Sequence, residues 1–343
     1  LLDFNDGKKL TPEQNILVNN SFETMCWLAS HNIKFEPIYN RQSFKKNGKY
    51  VFWGGLTLAS KNEGVGLYEQ QLKTFLSLGG QIHYNTEVSG LILENDYVVG
   101  VSSGENKFFS DSTILACGGF EASEEMRIKN LGENWKFAKV RGTPHNTGDG
   151  LKMAYDVGAV SHGLYNKCHA TPMDLYMKDF GNLSIPHKDR KNYRKICYFL
   201  GIMLNAKGKR FLDEGANFRN YTYAQYGAKI LEQPGHFAWQ IFDDKVKKLL
   251  YEEYFSEDAS FVEANTIDEL VKKLDGVDNV KAKKTIKEFN DKCTSNNQFD
   301  PTKLDNKSTI GLKIPKSNWA LQIDKPPFRA YPVLVALPLR MEG

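Results

Sequence analysis

The stretch QIHYNTEVSGLILENDYVVGVSSGENKFFSDSTILACGG, residues 81–119, decides the fold. Three short runs within it have β character: QIHYN at 81–85, VSGLILEN at 88–95 and YVVGVSSG at 97–104. The Asn95-Asp96 step joins the last two as a hairpin, since both residue types suit a tight turn. SDSTILA at 110–116 reads as one more strand and stops abruptly at Cys117-Gly118-Gly119. Upstream, a helix follows the GVG of residues 64–66, from about Val65 to Leu78, and Gly79-Gly80 closes it. Helix, strand, hairpin, buried strand and Gly-Gly, in that order, suit an α/β nucleotide-binding domain.

Towards the amino terminus, Thr11-Pro12-Glu13-Gln14 reads as a capping box with proline at the first helical position. Behind it Ile16, Leu17, Phe22, Met25, Trp27 and Leu28 give a loosely helical apolar pattern to about His31. Beyond residue 160 the texture changes to long polar loops and helices. Aromatic-rich helices are expected near 221–232 and 243–255, and charged ones near 266–274 and 280–293. The first charged helix has its own cap in Thr266-Ile267-Asp268-Glu269. A mostly helical second domain inserted into the first is the simplest account. The expected division is 1–165, then 166–320, then a return to the first domain over 321–343.

Bulk properties exclude several classes. Of the 343 residues, 41% are hydrophobic and 25% charged, the balance of a globular protein rather than a disordered one. No apolar run reaches the roughly 20 residues of a membrane span. The net charge of +4 is mild and spread along the chain. KAKK at 281–284 shares its helix with Glu288 and Asp291, so a solvated helix face is preferred to a nucleic-acid patch. Five cysteines without CxxC spacing argue against zinc and against a disulfide framework, and fit a reducing, cytoplasmic location. No HxxxH or HExxH spacing exists, so no metal site is expected.

Three segments have chemical potential. In NTGDGLKMA, 146–154, two glycines flank Asp149 at a helix start; the backbone there can approach a phosphate or ring, or Thr147-Gly148-Asp149 simply caps the helix. In ACGGF, 116–120, Gly118-Gly119 after an apolar strand lets a large ligand lie against the backbone, or merely reverses the chain. GIMLNAKGKRFLDEGANFRNYTYAQYG, 201–227, is a strand and a tight turn at 206–208, followed by Arg210, Glu214 and Arg219. Two guanidinium groups around a carboxylate form either a clamp for substrate carboxylates or a structural bridge. His169, in the loop NKCHATP, has a better prospect of facing a site than His145, and the other five histidines have no suggestive company.

Taken together, ILACGGFEAS, VRGTPHNTGDGLKMA, the 201–227 segment, QPGHFAWQIFD and PKSNWALQIDKPPFRAYPV resemble the fumarate reductase and succinate dehydrogenase flavoprotein family. The likeness runs from about residue 11 to 333 and is strongest to FAD-dependent tricarballylate dehydrogenases. It implies an FAD-binding Rossmann-like domain interrupted by a helical capping domain. By motif, Val88, Gly118, Gly119 and Asp149 would contact FAD, His169 would bind a substrate carboxylate, and Arg219 would transfer the proton. A hydride would pass between a substrate carbon and flavin N5, turning a tricarballylate-like substrate into a cis-aconitate-like product. A guanidinium pKa above about 12 means that Arg219 needs a shuttling network. A membrane-associated iron–sulfur or haem protein is the electron-transfer partner implied; no nucleic-acid partner is.

The chain departs from that family at three points. It lacks the amino-terminal GxGxxG strand–turn–helix. The stretch before the GIMLN strand, KNYRKICYFL at 191–200, has no Glu to match the Glu–Arg proton path of fumarate reductases. This favours tricarballylate oxidation over fumarate reduction. After AYPV the chain ends VLVALPLRMEG, where relatives continue with a segment such as TCGITFTYGG. LVALPLRMEG can be back-translated so that a one-base shift gives TCGITFTYGG, and a single-base deletion near Val333 is the resulting expectation. The alternatives are a fumarate reductase or ketosteroid-type dehydrogenase of the same fold, an inactive gene fragment that binds no flavin, and a plain anion-binding module.

Overall fold

The computed structural model describes residues 9–53, 57–163, 165–180 and 193–337. His187 and the tail from 338 to 343, with its expected frame shift, therefore lie outside the described residues. The chain forms two compact units, divided between Asn85 and Thr86.

The first unit holds α1 (Pro12–Ser30), β1 (Phe35–Pro37), α2 (Tyr39–Gln42), β2 (Ser43–Lys46), β3 (Lys49–Phe52), β4 (Leu58–Ser60) and α3 (Glu63–Ser77). The capping box forms as read: Thr11 Oγ1 accepts from the Gln14 amide and the Gln14 side chain accepts from the Thr11 amide. The apolar residues of α1 do not share one stripe, and none of them is buried. α3 closes at Gly79, which takes φ +84°. The expected strand at 81–85 is absent, because no ladder partner faces it among the described residues.

The second unit opens with a hairpin sheet of β5 (Gly90–Glu94), β6 (Tyr97–Ser103) and β7 (Asn106–Phe109). Asn95 and Asp96 both have positive φ, the conformation required of a two-residue hairpin turn. SDSTILA does not form the expected strand: no ladder hydrogen bonds hold it among the described residues, and Ile114 is 90% exposed. There follow α4 (Glu124–Leu131), β8 (Lys139–Val140), α5 (Asp149–Asp156), β9 (Thr171–Asp174), β10 (Ile202–Asn205), α6 (Arg219–Leu231) and β11 (Ala238–Phe242). The unit continues with β12 (Val262–Ala264), α7 (Ile267–Lys272), α8 (Asn279–Lys292) and β13 (Phe328–Leu337). In place of the helix expected at 243–255 stand two short 3-10 turns, Asp244–Leu249 and Glu252–Tyr254. Leu250 and Tyr251 between them are extended, which breaks the helix and turns Tyr251 inward to 5% exposure.

β13 is the hub of a six-stranded sheet. It pairs antiparallel with β11, β12 and β9, and parallel with β8. Its pairing continues through Val333 to Leu337. The run FRAYPVLVAL is apolar nearly throughout, as a strand covered on both faces requires. Period-two alternation sends Val335 and Leu337 towards Leu231 of α6 and Ala170, and Leu334 and Ala336 towards Met173 and Met177. Elsewhere on the sheet, Ile202, Leu204, Trp239 and Ile241 pack against Leu270 and Val271 of α7 and Ala282, Ile286 and Phe289 of α8. Among the described residues no helix is long and apolar enough to cross a membrane.

Candidate active site

The two glycine segments singled out separately in the sequence lie against each other. The Gly148 amide donates to the Gly119 carbonyl at 3.0 Å, and the Ala122 amide to the Asn146 carbonyl at 2.9 Å. Gly118 and Gly148 have φ of +79° and +83°. A Cβ on Gly118 would lie 2.6 Å from Asn146 Oδ1, and one on Gly150 would press on Cys117. Gly118 is thus required by the close approach as well as by backbone conformation, and Gly150, in helical backbone, by the close approach alone. α5 starts at this junction with the carboxylate of Asp149, which is exposed; it accepts from Thr147 Oγ1 at 2.7 Å and lies 3.7 Å from Lys152 Nζ. Val88, half-buried, precedes β5, which packs beside α5. Val88, Gly118, Gly119 and Asp149 thus belong to neighbouring segments that leave backbone accessible on Ala116–Gly118. A glycine-containing edge next to an exposed carboxylate at a helix start fits a ligand that combines a flat ring, a phosphate and hydroxyl groups. FAD is such a ligand.

Beneath this edge, Glu121 is fully buried. Its Oε1 accepts from Asn146 Nδ2 at 2.5 Å and its carbonyl from Arg127 Nη1 at 2.6 Å, while Oε2 has no partner.

A second cluster gathers around His169 and Arg219. Arg219 opens α6, and the helical repeat puts Arg219, Thr222, Tyr226, Gly227 and Ile230 on its buried face. Tyr223, one turn on, lies under the guanidinium of Arg219, 5.5 Å from carbon to ring centroid. The Tyr223 ring meets the His169 ring edge-on at 4.9 Å. The loop bearing His169 is tied to α6 by hydrogen bonds from the Ala170 amide to the Ala224 carbonyl, 2.7 Å, and from the Gly227 amide to the Ala170 carbonyl, 3.0 Å. His169 Nε2 is buried without a hydrogen-bond partner. Desolvation, then the positive charge of Arg141, lower the His169 pKa to about 4, so the ring is neutral at physiological pH. Arg141 comes from the VRGTPHNTGDG segment and is anchored by its amide to the Leu337 carbonyl at 2.9 Å.

On the other side of Arg219, the ring of Tyr251 lies 5.6 Å from the guanidinium carbon, and its hydroxyl is hydrogen-bonded to Arg219. Burial holds the Tyr251 hydroxyl well above the usual range, with Arg219 opposing, so it is a proton-bearing group. Cys197, fully buried nearby, is pushed up to about 12 by desolvation and remains a thiol. Sequence reasoning missed Tyr251 because it assumed an unbroken helix there.

The Arg210–Glu214–Arg219 clamp resolves into its structural alternative. Arg210 makes a two-pronged pair with Glu214, at 2.5 Å from Nη2, and Glu214 also accepts from the Met203 amide at 2.8 Å. Glu214 therefore anchors the strand, and Arg219 turns to Tyr223 and Tyr251.

A Glu from elsewhere in the chain does meet the 191–200 stretch. Glu253, buried, accepts from Arg194 Nη2 at 3.1 Å across 59 residues of sequence. It lies two positions beyond Tyr251. The sequence-based preference for tricarballylate over fumarate thus loses one of its supports.

Among the described residues no group of three His, Cys, Asp or Glu could hold a metal ion. The FAD binding domain family model matches residues 8–343. A fumarate reductase (cytochrome) of Shewanella frigidimarina is 31% identical over 206 residues, 59% of this chain and 33% of the relative. A 3-oxosteroid 1-dehydrogenase of Mycobacterium tuberculosis is 28% identical over 183 residues, 49% of this chain and 31% of the relative. Among solved structures, the open conformation of a flavocytochrome c3 fumarate reductase superposes with a TM-score of 0.62 at 22% identity, covering 94% of this chain and 52% of the other. The chain therefore spans about a third to a half of the length of these three relatives.

Proposed function

This chain belongs to the FAD binding domain family, and on that footing we propose that it serves an FAD-dependent oxidoreductase acting on a small polycarboxylate. The observation that carries the reading is the convergence of Arg141, His169 and Arg219, two cations and a neutral imidazole with an unused buried nitrogen. Guanidinium groups recognise carboxylates through bidentate, charge-assisted hydrogen bonds, a recognition that an uncharged steroid cannot return. FAD, when bound, supplies the hydride acceptor. Val88, Gly118, Gly119 and Asp149 are the residues proposed to contact it.

His169 orients one substrate carboxylate through Nε2, and Arg141 adds charge neutralisation. Arg219 exchanges a proton with the carbon next to the one that loses or gains hydride. In the oxidising direction Arg219 releases a proton to the Tyr251 hydroxyl as it takes one from the carbon, and the relay runs the other way in reduction; the hydroxyl can give and take protons without ionising persistently. The substrate in this reading is tricarballylate, oxidised to a cis-aconitate-type product, and electrons leave to a membrane-associated carrier. A second reading, fumarate reduction, is favoured by the Arg194–Glu253 ion pair, which lies two positions along the chain from Tyr251.

The test is anaerobic mixing of the FAD-loaded protein with tricarballylate, succinate and a 3-oxosteroid, while visible flavin absorbance is followed. Bleaching by tricarballylate alone supports the first reading; reoxidation of chemically reduced protein by fumarate supports the second. Bleaching by the steroid alone overturns both, and a chain that retains no FAD overturns the enzymatic proposal altogether.

A further inference from the structure

The lysines of α8 divide into two kinds. Lys281 pairs with Asp278 at 2.8 Å, Lys283 with Asp268 at 2.5 Å and Lys287 with Asp291 at 2.6 Å. Lys284 has no acceptor among the described residues. It lines a cavity of about 600 Å³, together with Lys209 from the turn after β10 and Lys313 from the loop before β13. Neither of those ammonium groups has an acceptor among the described residues either. Three uncompensated cations thus come from three separate elements, and only Glu288 opposes them on the cavity lining. The rest of the lining is Thr285, Phe289, Leu312 and Ile314, with Lys281 already paired to Asp278 and Arg210 stacked on Phe289 at 5.3 Å and already neutralised by Glu214.

A solvated helix face explains paired lysines such as Lys283 and Lys287. It does not explain three unpaired ones gathered on a concave surface with an apolar floor, since like charges brought together repel. We propose that this cleft is a binding site for an organic polyphosphate of the nucleoside di- or triphosphate class. Lysines act as point charges for phosphate oxygens, and three of them match an anion of about three charges. The half-buried Leu312 and Ile314, over the buried Phe289, take the apolar body. The volume falls within the roughly 300–1,000 Å³ typical of small-molecule sites. The site is built from other residues than the His169–Arg219 cluster and stands whether or not the polycarboxylate reading does.

The experiment is calorimetric titration of ATP and of inorganic tripolyphosphate into the FAD-loaded full chain, with FAD retention checked by absorbance. The Lys284→Ala/Lys313→Ala double variant is titrated alongside, and Lys283→Ala is the control on the same helix. The expected result is ATP binding that weakens at least about tenfold in the double variant and is unchanged in the control, with tripolyphosphate weaker than ATP. Undetectable ATP binding, or equal binding by the double variant, overturns the site. Tripolyphosphate as tight as ATP overturns the organic body. A double variant that loses tricarballylate binding and keeps ATP binding makes the cleft a carboxylate site and overturns the nucleotide assignment. All three lysines are exposed, so the variants fold; an unchanged melting temperature verifies this.

Discussion

Gly227 lies so close to Ala170 that a Cβ on it would come within 2.5 Å of the Ala170 carbonyl carbon. The contact seats α6, which bears Arg219 and Tyr223, directly on the loop that bears His169. Gly227→Ala must push that loop away, at a cost of about 1–3 kcal/mol for overpacking. Thermal melting will register the loss, and KM for the carboxylate will rise more than kcat falls, since His169 is the group displaced.

Tyr251→Phe keeps the ring beside Arg219 and removes only the hydroxyl. On the proposed proton route kcat drops by about 10- to 100-fold, with FAD content and KM nearly unchanged. Steady-state kinetics with the electron acceptor in excess decides it. A variant with wild-type kcat would remove Tyr251 from the route.

Gly118→Ala forces an L-residue into φ +79° and against Asn146. Left-handed backbone alone costs about 1–2 kcal/mol in a residue with a side chain. The purified variant should contain less FAD per chain than the wild type, measured as the ratio of flavin to protein absorbance. Asn146→Ala in the same background should restore part of it by opening the space.

His169 predicts an acid sensitivity. Its pKa is depressed from 6.5 to about 4 in the folded chain. The unfolded state then binds more protons between these values, so stability is full above about 6.5 and falls as pH drops towards 4. His169→Gln, which cannot ionise, should flatten that part of the stability–pH curve in urea melts. A bound polycarboxylate should shift the midpoint of the wild-type curve upward in pH, because an adjacent anion favours the imidazolium.

Lys316 works at the alkaline end. It is fully buried, donates to the Gly201 carbonyl at 2.5 Å and has its pKa lowered to about 8, chiefly by desolvation. Between about 8 and 10.5 the unfolded chain binds the extra proton, so this group makes the fold more stable as pH rises. Lys316→Met should abolish that rise in denaturant titrations across the same window.

Local signals in the sequence translated directly into structure. Thr11 and Thr266 cap their helices, Asn95-Asp96 turns the hairpin, and the tight turn at 206–208 ends with Gly208 at positive φ. Such features depend on neighbours within four residues. SDSTILA was misread for the opposite reason: an apolar β-branched run becomes a strand only where another strand lies beside it. The site was legible in its members and not in its wiring. His169 and Arg219 stand in recognisable segments, but Glu253 meets Arg194, and Tyr251 meets Arg219, through contacts that no spacing encodes. The clamp at Arg210 and Glu214 looked functional because a guanidinium–carboxylate pair is the same chemistry whether it holds a ligand or a strand.

β13 pairs with β8 at residues nearly two hundred positions earlier in the chain, and β9, β11 and β12 all wait on the same strand. During synthesis, then, the segments that bear His169 and Arg219 leave the ribosome long before the strand that will hold them together. Until residues 328–337 follow, β9 and β11 carry open edges in a solvent that rewards any other pairing. The nascent chain is most vulnerable to aggregation in that interval, and chaperone dependence should track the time between translation of Asp174 and translation of Phe328.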